Sequence, residues 1–213
     1  MPVFLDNDGN AATMGEYMFG AGKGTENMVF ITVSTGIGGG AILNGHIYRG
    51  NTKNALEIGH MTLEPQGPLC NCGNLGCAEV MASGTAIARE AKKAVDMGCN
   101  TTLTMYENIT SKEVFKEAQL GDNVSQNILN TALDYLGICV ANIITCLDPE
   151  VVIIGGGVSR GGKIIFDKIN EVVKRRCFDV VSKNTKILPA LLKADAGVIG
   201  AAALAFMAEE EKY

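Results

Sequence analysis

Three cysteines within eight residues constrain this chain more than any other feature. Cys70-Asn71-Cys72-Gly73-Asn74-Leu75-Gly76-Cys77 spells C-x-C-x4-C, with two glycines that let the backbone close around a small centre. The surrounding stretch, 51–77, has few apolar residues in helical or strand period and is predicted to be irregular. A segment so polar cannot fold through core burial alone, so another force must order it. Structural zinc takes four N or S ligands in a tetrahedron. Cys70, Cys72 and Cys77 offer three thiolates, and His60, one of only two histidines, offers a fourth donor from the same segment. A closed set of this kind leaves no position for water, so the predicted zinc is structural and not catalytic. The alternative for the same residues is three reduced loop thiols and a surface histidine. The seven cysteines are an odd number, and the first residues show no charged-then-apolar secretory pattern. Both points argue against a disulfide framework. Cys99, Cys139, Cys146 and Cys177 read as core or surface thiols.

Glycine is the second excess, at 26 of 213 residues, against a usual share of about 7%. The glycines are clustered, and clusters mark sharp turns or close approach. Thr35-Gly36-Ile37-Gly38-Gly39-Gly40 falls between predicted strands at 28–34 and 41–43 and is expected to be a tight turn. Its N–H groups and the Thr35 hydroxyl can cradle phosphate oxygens; a plain β-turn fits as well. No Gly-Lys-Ser/Thr follows, so it is not a Walker loop. Gly155-Gly156-Gly157-Val158 follows an apolar strand at 151–154 and precedes a helix. That is the topology of a ligand-approach turn at a sheet's carboxyl edge, or of a helix start that needs positive φ. Asn7-Asp8 follows the apolar run Val3-Phe4-Leu5, a predicted strand end. A carboxylate there can serve as general base toward a hydroxyl, or simply cap the next helix.

Helices are predicted at 11–19, 85–97, 123–147, 164–175 and 198–209, with a short one after the capping box Thr110–Glu113. A hairpin through Asn44-Gly45 joins 41–43 to 46–49. The last strand, 187–192, carries Pro189 and is therefore an edge or bent strand. Alternating strands and helices with one hairpin give an α/β fold on a mixed sheet. Hydrophobic residues are 47% and charged residues 19%, an ordinary globular balance. A net charge of −5 argues against a broad nucleic-acid surface. No apolar run approaches the ~20 residues needed to span a bilayer. The expectation is a cytoplasmic protein with no membrane and no nucleic acid among its partners.

Taken in order, these segments resemble the ROK family of sugar kinases and repressors. Asn7-Asp8-Gly9-Asn10-Ala11-Ala12 with Gly15-Glu16 is similar to its N-D-x-N-A-A segment, and Thr35–Gly40 to its second phosphate motif. Glu57-Ile58-Gly59-His60 is similar to its E-x-G-H signature, and Cys70 to Glu79 to its C-x-C-G-x-x-G-C-x-E zinc motif. Asp148-Pro149 through Gly155-Gly156-Gly157-Val158 resembles its adenosine motif, and Gly197-Val198-Ile199-Gly200-Ala201-Ala202 its C-terminal G-x-x-G-A-A helix start. The resemblance implies a hexokinase/actin-like, ribonuclease H-like fold, with this chain as the large C-terminal lobe. That lobe would be a mixed sheet flanked by helices, with a zinc-binding loop. It implies a glucokinase-like transfer from ATP, with Mg²⁺, to a hexose. Asp8 would be the base; Asn7, Glu57, His60 and Glu79 would bind the other hydroxyls. Thr35, Gly36, Gly156 and Gly157 would line the nucleotide. His60 would place one ring nitrogen on zinc and the other toward the sugar.

Two departures carry consequences. Leu56 stands where the family has Gly before the Glu, and its side chain is expected to crowd the sugar loop. The family's Asp-x-Gly-Gly-Thr phosphate turn, on a small N-terminal lobe, occurs nowhere here. On this reading 1–10 is a remnant of the interlobe junction, 11–196 the large lobe, and 197–213 a helix that packs on the missing lobe. The chain alone is then expected to have little or no kinase activity and to pair its bare apolar face in a homo-oligomer. The sugar-sensing lobe of a ROK repressor is the alternative.

Overall fold

The structure is a computed structural model that describes residue 3 and residues 5–210. β1 (Met28–Val33) and β4 (Val151–Gly155) are apolar on both faces. Met28, Phe30, Val151 and Ile153 enter one core; Val29, Ile31, Val33, Val152 and Ile154 enter another. Strands of that kind belong in the middle of a sheet covered on both sides. β1 and β4 accordingly pair in parallel at the centre of a five-stranded mixed sheet of order β3-β2-β1-β4-β5. β2 (Ile37–Leu43) and β3 (His46–Ile47) add antiparallel through the Asn44-Gly45 turn. β5 (Lys186–Pro189) adds parallel at the far edge and stops at Pro189, short of the predicted 192.

α1 (Asp8–Phe19) and α8 (Ala196–Glu210) cover the first face. α3 (Gly84–Asp96), α4 (Ser111–Gln119), α5 (Asn123–Leu147) and α6 (Lys163–Arg176) cover the second. The predicted mixed sheet flanked by helices is therefore what forms. The α4 capping box also forms: Lys112 N–H donates to Thr110 Oγ1 (3.2 Å) and Thr110 N–H to Glu113 Oε2 (2.9 Å). Two short helices went unpredicted, because one turn or so carries no readable period. These are α2 (Ala78–Ala82), wedged between the cysteine loop and the core, and α7 (Asp179–Asn184), which rests a partly buried Val181 on the core and buries no side chain fully.

α5 corrects the bilayer expectation as first argued. It has 25 residues and is long and apolar enough to cross a membrane by length and composition. Polar residues interrupt its apolar run, which hid it. Leu129, Leu133, Leu136, Val140 and Ile144 are buried in the same core as Val29 and Ile31, which accounts for its apolar character.

Two further expectations change. Val3 and Leu5 are exposed and form no strand; Phe4 between them lies outside the described residues. Gly38-Gly39-Gly40 is not part of a tight turn but lies within β2. A Cβ at Gly40 would collide with Thr13 of α1, and one at Gly39 with Ile58. The glycine run thus makes a strand thin enough for α1 and the 58–60 turn to press on its opposite faces. Within this chain α8 packs on α1, with Gly15 and Gly200 at the contact. The 10/11 and 196/197 boundaries fall inside α1 and α8 respectively.

Candidate functional site

The cysteine loop is a small knot of backbone hydrogen bonds. Gly73 N–H donates to the Cys70 carbonyl (2.9 Å), Cys70 N–H to that of Asn74 (2.8 Å), and Gly76 N–H to that of Pro68 (2.8 Å). Ile58–His60 forms a single 3₁₀ turn beside it. These pieces bring one donor atom each from His60, Cys70, Cys72 and Cys77 within 4.8 Å of one another. Cys70 Sγ lies 3.6 Å from His60 Nδ1, and Cys72 Sγ lies 3.6 Å from Cys77 Sγ. A tetrahedral zinc with ordinary bond lengths requires about 3.8 Å between sulfurs and about 3.6 Å between sulfur and nitrogen. A disulfide requires about 2.05 Å, and all seven thiols are free. The four donors therefore fit a tetrahedral ion. Their thiols are split by environment. The Asn74 N–H helps hold Cys72 down to about 7, and burial pushes Cys77 up to about 12.

The start of α1 decides between the two uses of Asn7-Asp8. Asn7 is the cap: its Oδ1 accepts from Gly9 N–H (2.7 Å) and Asn10 N–H (3.4 Å). Only the Asn7 amide NH₂ is left to meet a ligand. Asp8 does no capping. It is exposed in the first turn, and its carboxylate has no hydrogen-bond partner among the described residues. Asp6, which sequence reasoning passed over, fixes this corner. It accepts from Asn10 Nδ2 (2.8 Å) and pairs with Arg49 Nε (2.8 Å). Burial opposes its ionisation, but the hydrogen bonds from Asn10 and Arg49 prevail and hold its carboxyl below the usual range.

The remaining predicted acceptor contacts gather on the first half of β2. Gly9 lies against the Gly39 carbonyl, Ile58 against Gly39, and Gly59 against Ile37. Glu57, at the head of the 58–60 turn, is exposed and also lacks a side-chain partner among the described residues. Glu79, on α2, accepts from the Ile37 N–H through Oε2 (3.1 Å) and rests on Gly36, and its Oε1 has no partner among the described residues. Leu56 adopts φ +64, the left-handed region that suits the glycine found there in the family. Its side chain packs on the main core rather than only lining the loop, so crowding of the loop is not its whole effect.

Two clefts open beside this corner at the carboxyl ends of β1 and β4. One, of about 400 Å³, is lined by Thr35, Gly157, Gly84, Thr85, Thr110 and Ser111 among others. Ser83 caps α3 and Thr110 caps α4, so two helix N-termini face the same space. Their partial positive charge, with Lys92 on the wall, favours an anion. The other cleft, of about 340 Å³, lies between Gly156-Gly157 and the segment after β5. Gly156 has φ +86 and sits against the Val33 backbone, so no other residue fits there. Gly36 lines neither cleft; it contacts Glu79. Thr110 and Lys92 went unnoticed as lining, because a cap motif marks a helix start but not what the start faces.

Residues 1–208 match the ROK family. The glucokinase of Halalkalibacterium halodurans is 40% identical over 205 residues, covering 94% of this chain and 62% of that protein. The xylose repressor of Caldicellulosiruptor bescii is 34% identical, covering 96% of this chain and 52% of that protein. A ROK family glucokinase from Streptomyces griseus, solved with glucose and AMPPNP, is 36% identical with a TM-score of 0.84. There the similarity covers 96% of this chain and 68% of that one. Matched along almost its whole length by sequence, and by fold to solved members, the chain belongs to the ROK family.

Proposed function

We propose that this chain is the nucleotide- and acceptor-binding lobe of a glucokinase-like, ATP-dependent hexose kinase. The observation that carries this reading is that the segments bearing Asp8, Glu57, His60 and Glu79 all pack on one half-strand, beside an anion-favouring cleft. Carboxylates that accept from hydroxyls suit a polyol, and paired helix N-termini suit polyphosphate.

In this reaction Asp8 takes the proton of a hexose hydroxyl, and that oxygen attacks the γ-phosphorus. The bond from the γ-phosphorus to the β,γ-bridging oxygen breaks, ADP leaves, and the sugar phosphate forms. Glu57, Oε1 of Glu79, the Asn7 amide and His60 Nε2 orient the other hydroxyls. His60 Nδ1 is turned to the sulfurs, so Nε2 is the nitrogen available to sugar. Zinc held by His60, Cys70, Cys72 and Cys77 supplies a rigid structural anchor for that imidazole. Mg²⁺ carried with ATP neutralises phosphate charge. Thr35 and Gly157 line the nucleotide directly, Gly156 shapes its turn, and Gly36 transmits contact to Glu79.

For these 213 residues by themselves, which cover 62% of the Halalkalibacterium halodurans glucokinase and hold no Asp-x-Gly-Gly-Thr turn, binding with little or no turnover is the expected behaviour. Calorimetry with AMPPNP and with glucose tests it: both should bind. Glucose binding without nucleotide binding would favour instead the sugar-sensing lobe of a repressor, a reading the xylose repressor relative supports. Neither binding would end both. Val198 and Phe206 of α8 are exposed, and we assign that face to a homo-oligomer contact; a monomer mass by light scattering would refute this.

A further inference from the structure

We propose that Glu16 is a positioning residue whose carboxylate holds the segment after β5 as one wall of the Gly156-Gly157 cleft, and thereby sets nucleotide affinity. The second half rests on the nucleotide reading above. Glu16 is 0% exposed, near the end of α1. Among the described residues it pairs with no Lys or Arg. Its charge is met by three backbone donors instead: Leu192 N–H to Oε1 (2.8 Å), and Ala21 N–H (2.8 Å) and Leu191 N–H (3.2 Å) to Oε2. Two of those donors come from a segment on the far side of the sequence. Among the described residues no other long-range hydrogen bond holds Leu191 or Leu192. Leu191 is largely exposed, Leu192 only half-buried, and Lys193 stands in the left-handed region at φ +53. Burial therefore contributes little to its placement, whereas hydrogen bonds to a buried charge are among the strong ones.

That segment faces the cleft. Ala190 and Lys193 form one wall, opposite Gly156, Gly157 and Arg160. Ala190 N–H donates to the Ile154 carbonyl (3.0 Å), which ties the wall's first residue to β4. Glu16 ties down the next two. Because α1 begins at Asp8 and carries Glu16 near its other end, one helix positions both the proposed base and the wall of the nucleotide cleft. Only a carboxylate suits the spot. It accepts at both oxygens, whereas the NH₂ of glutamine would point a donor at donors.

The test compares Glu16→Gln with wild type in the whole chain, by amide hydrogen exchange and by calorimetry with AMPPNP and glucose. Exchange in peptides spanning 190–193 should rise about ten-fold or more, and AMPPNP affinity should fall about ten-fold. Glucose affinity and bound zinc should stay within about two-fold, since neither touches this segment. Unchanged exchange would overturn the proposal, and so would an equal loss of both affinities, the mark of general loosening. If E16Q does not fold, Glu16→Asp keeps the charge but withdraws it by one methylene, and the same readings decide. If wild type binds no AMPPNP, the nucleotide reading falls, and the affinity half of this proposal with it. Exchange still decides the rest: a rise confined to 190–193 supports the hold on the segment, and none refutes it.

Discussion

Stripping the metal, by a chelator or by Cys77→Ser, is expected to weaken hexose binding by about 100-fold or more while the sheet and the α3–α6 layer stay folded. The reason lies in how little else orders the loop. Between 51 and 77 the only buried aliphatic side chain is Ile58. Backbone hydrogen bonds such as Gly76 N–H to Pro68 shape the knot, but each contributes only about 1 kcal/mol net in water. A structural zinc contributes about 10–16 kcal/mol. The ion therefore dominates, and without it His60 loses its fixed ring orientation and α2 loses the base from which Glu79 reaches Ile37. Acid should act the same way more gradually, because zinc binds thiolates and must displace their protons. With Cys77 at about 12, uptake releases a proton there throughout the neutral range. With Cys72 at about 7, a second is released below that pH. Affinity should thus fall as pH falls, by about ten-fold per unit for each thiol that must give up a proton, and more steeply once Cys72 is protonated too. Elemental analysis and competition with a chelator between pH 6 and 8 measure both effects. A chain with no zinc and free thiols that still binds hexose at full affinity would defeat the assignment.

Legibility in the sequence followed the range of the interaction. The cluster of four candidate metal donors was readable because three of the four lie within eight residues. β1, β4 and α5 were readable because their burial writes a period into the chain. The glycines at 38–40 were misread for a physical reason. Glycine signals a turn and a close approach with the same letter, and here α1 and the 58–60 turn both press on the strand. Asn7-Asp8 could not be divided into cap and free carboxylate from spacing, since either residue can cap; only the bonds from Gly9 and Asn10 to Asn7 separate them. Glu16 was invisible as more than part of a motif, because two of its three donors lie 175 and 176 residues away. Glu79 was marked by its place after the cysteines, but its bond to Ile37 crosses 42 residues and left no local trace.

Asp8→Asn should leave glucose and AMPPNP binding to this chain within about three-fold of wild type, yet lower phosphoryl transfer by about 10³-fold. The two halves separate because of where Asp8 sits. It caps nothing and carries no hydrogen bond among the described residues, so the amide replaces the carboxylate without disturbing α1. The cap remains with Asn7, and Asp6 still holds Asn10 and Arg49. A large loss of binding or of stability would mean that Asp8 has a structural role the geometry does not contain. The transfer half is measured in a chimera that joins this chain to the portion of the Halalkalibacterium halodurans glucokinase it does not cover, with the sugar phosphate counted directly. An amide can hydrogen-bond the hydroxyl but cannot take its proton, so the acceptor would be held in place and remain a poor nucleophile. Asp8→Ala supplies the control: it removes the hydrogen bond as well, and should weaken glucose binding while lowering transfer no further than the amide does. Transfer by D8N at the wild-type rate would remove Asp8 as the base, and would turn attention to Glu57, the other exposed carboxylate at this corner without a partner among the described residues.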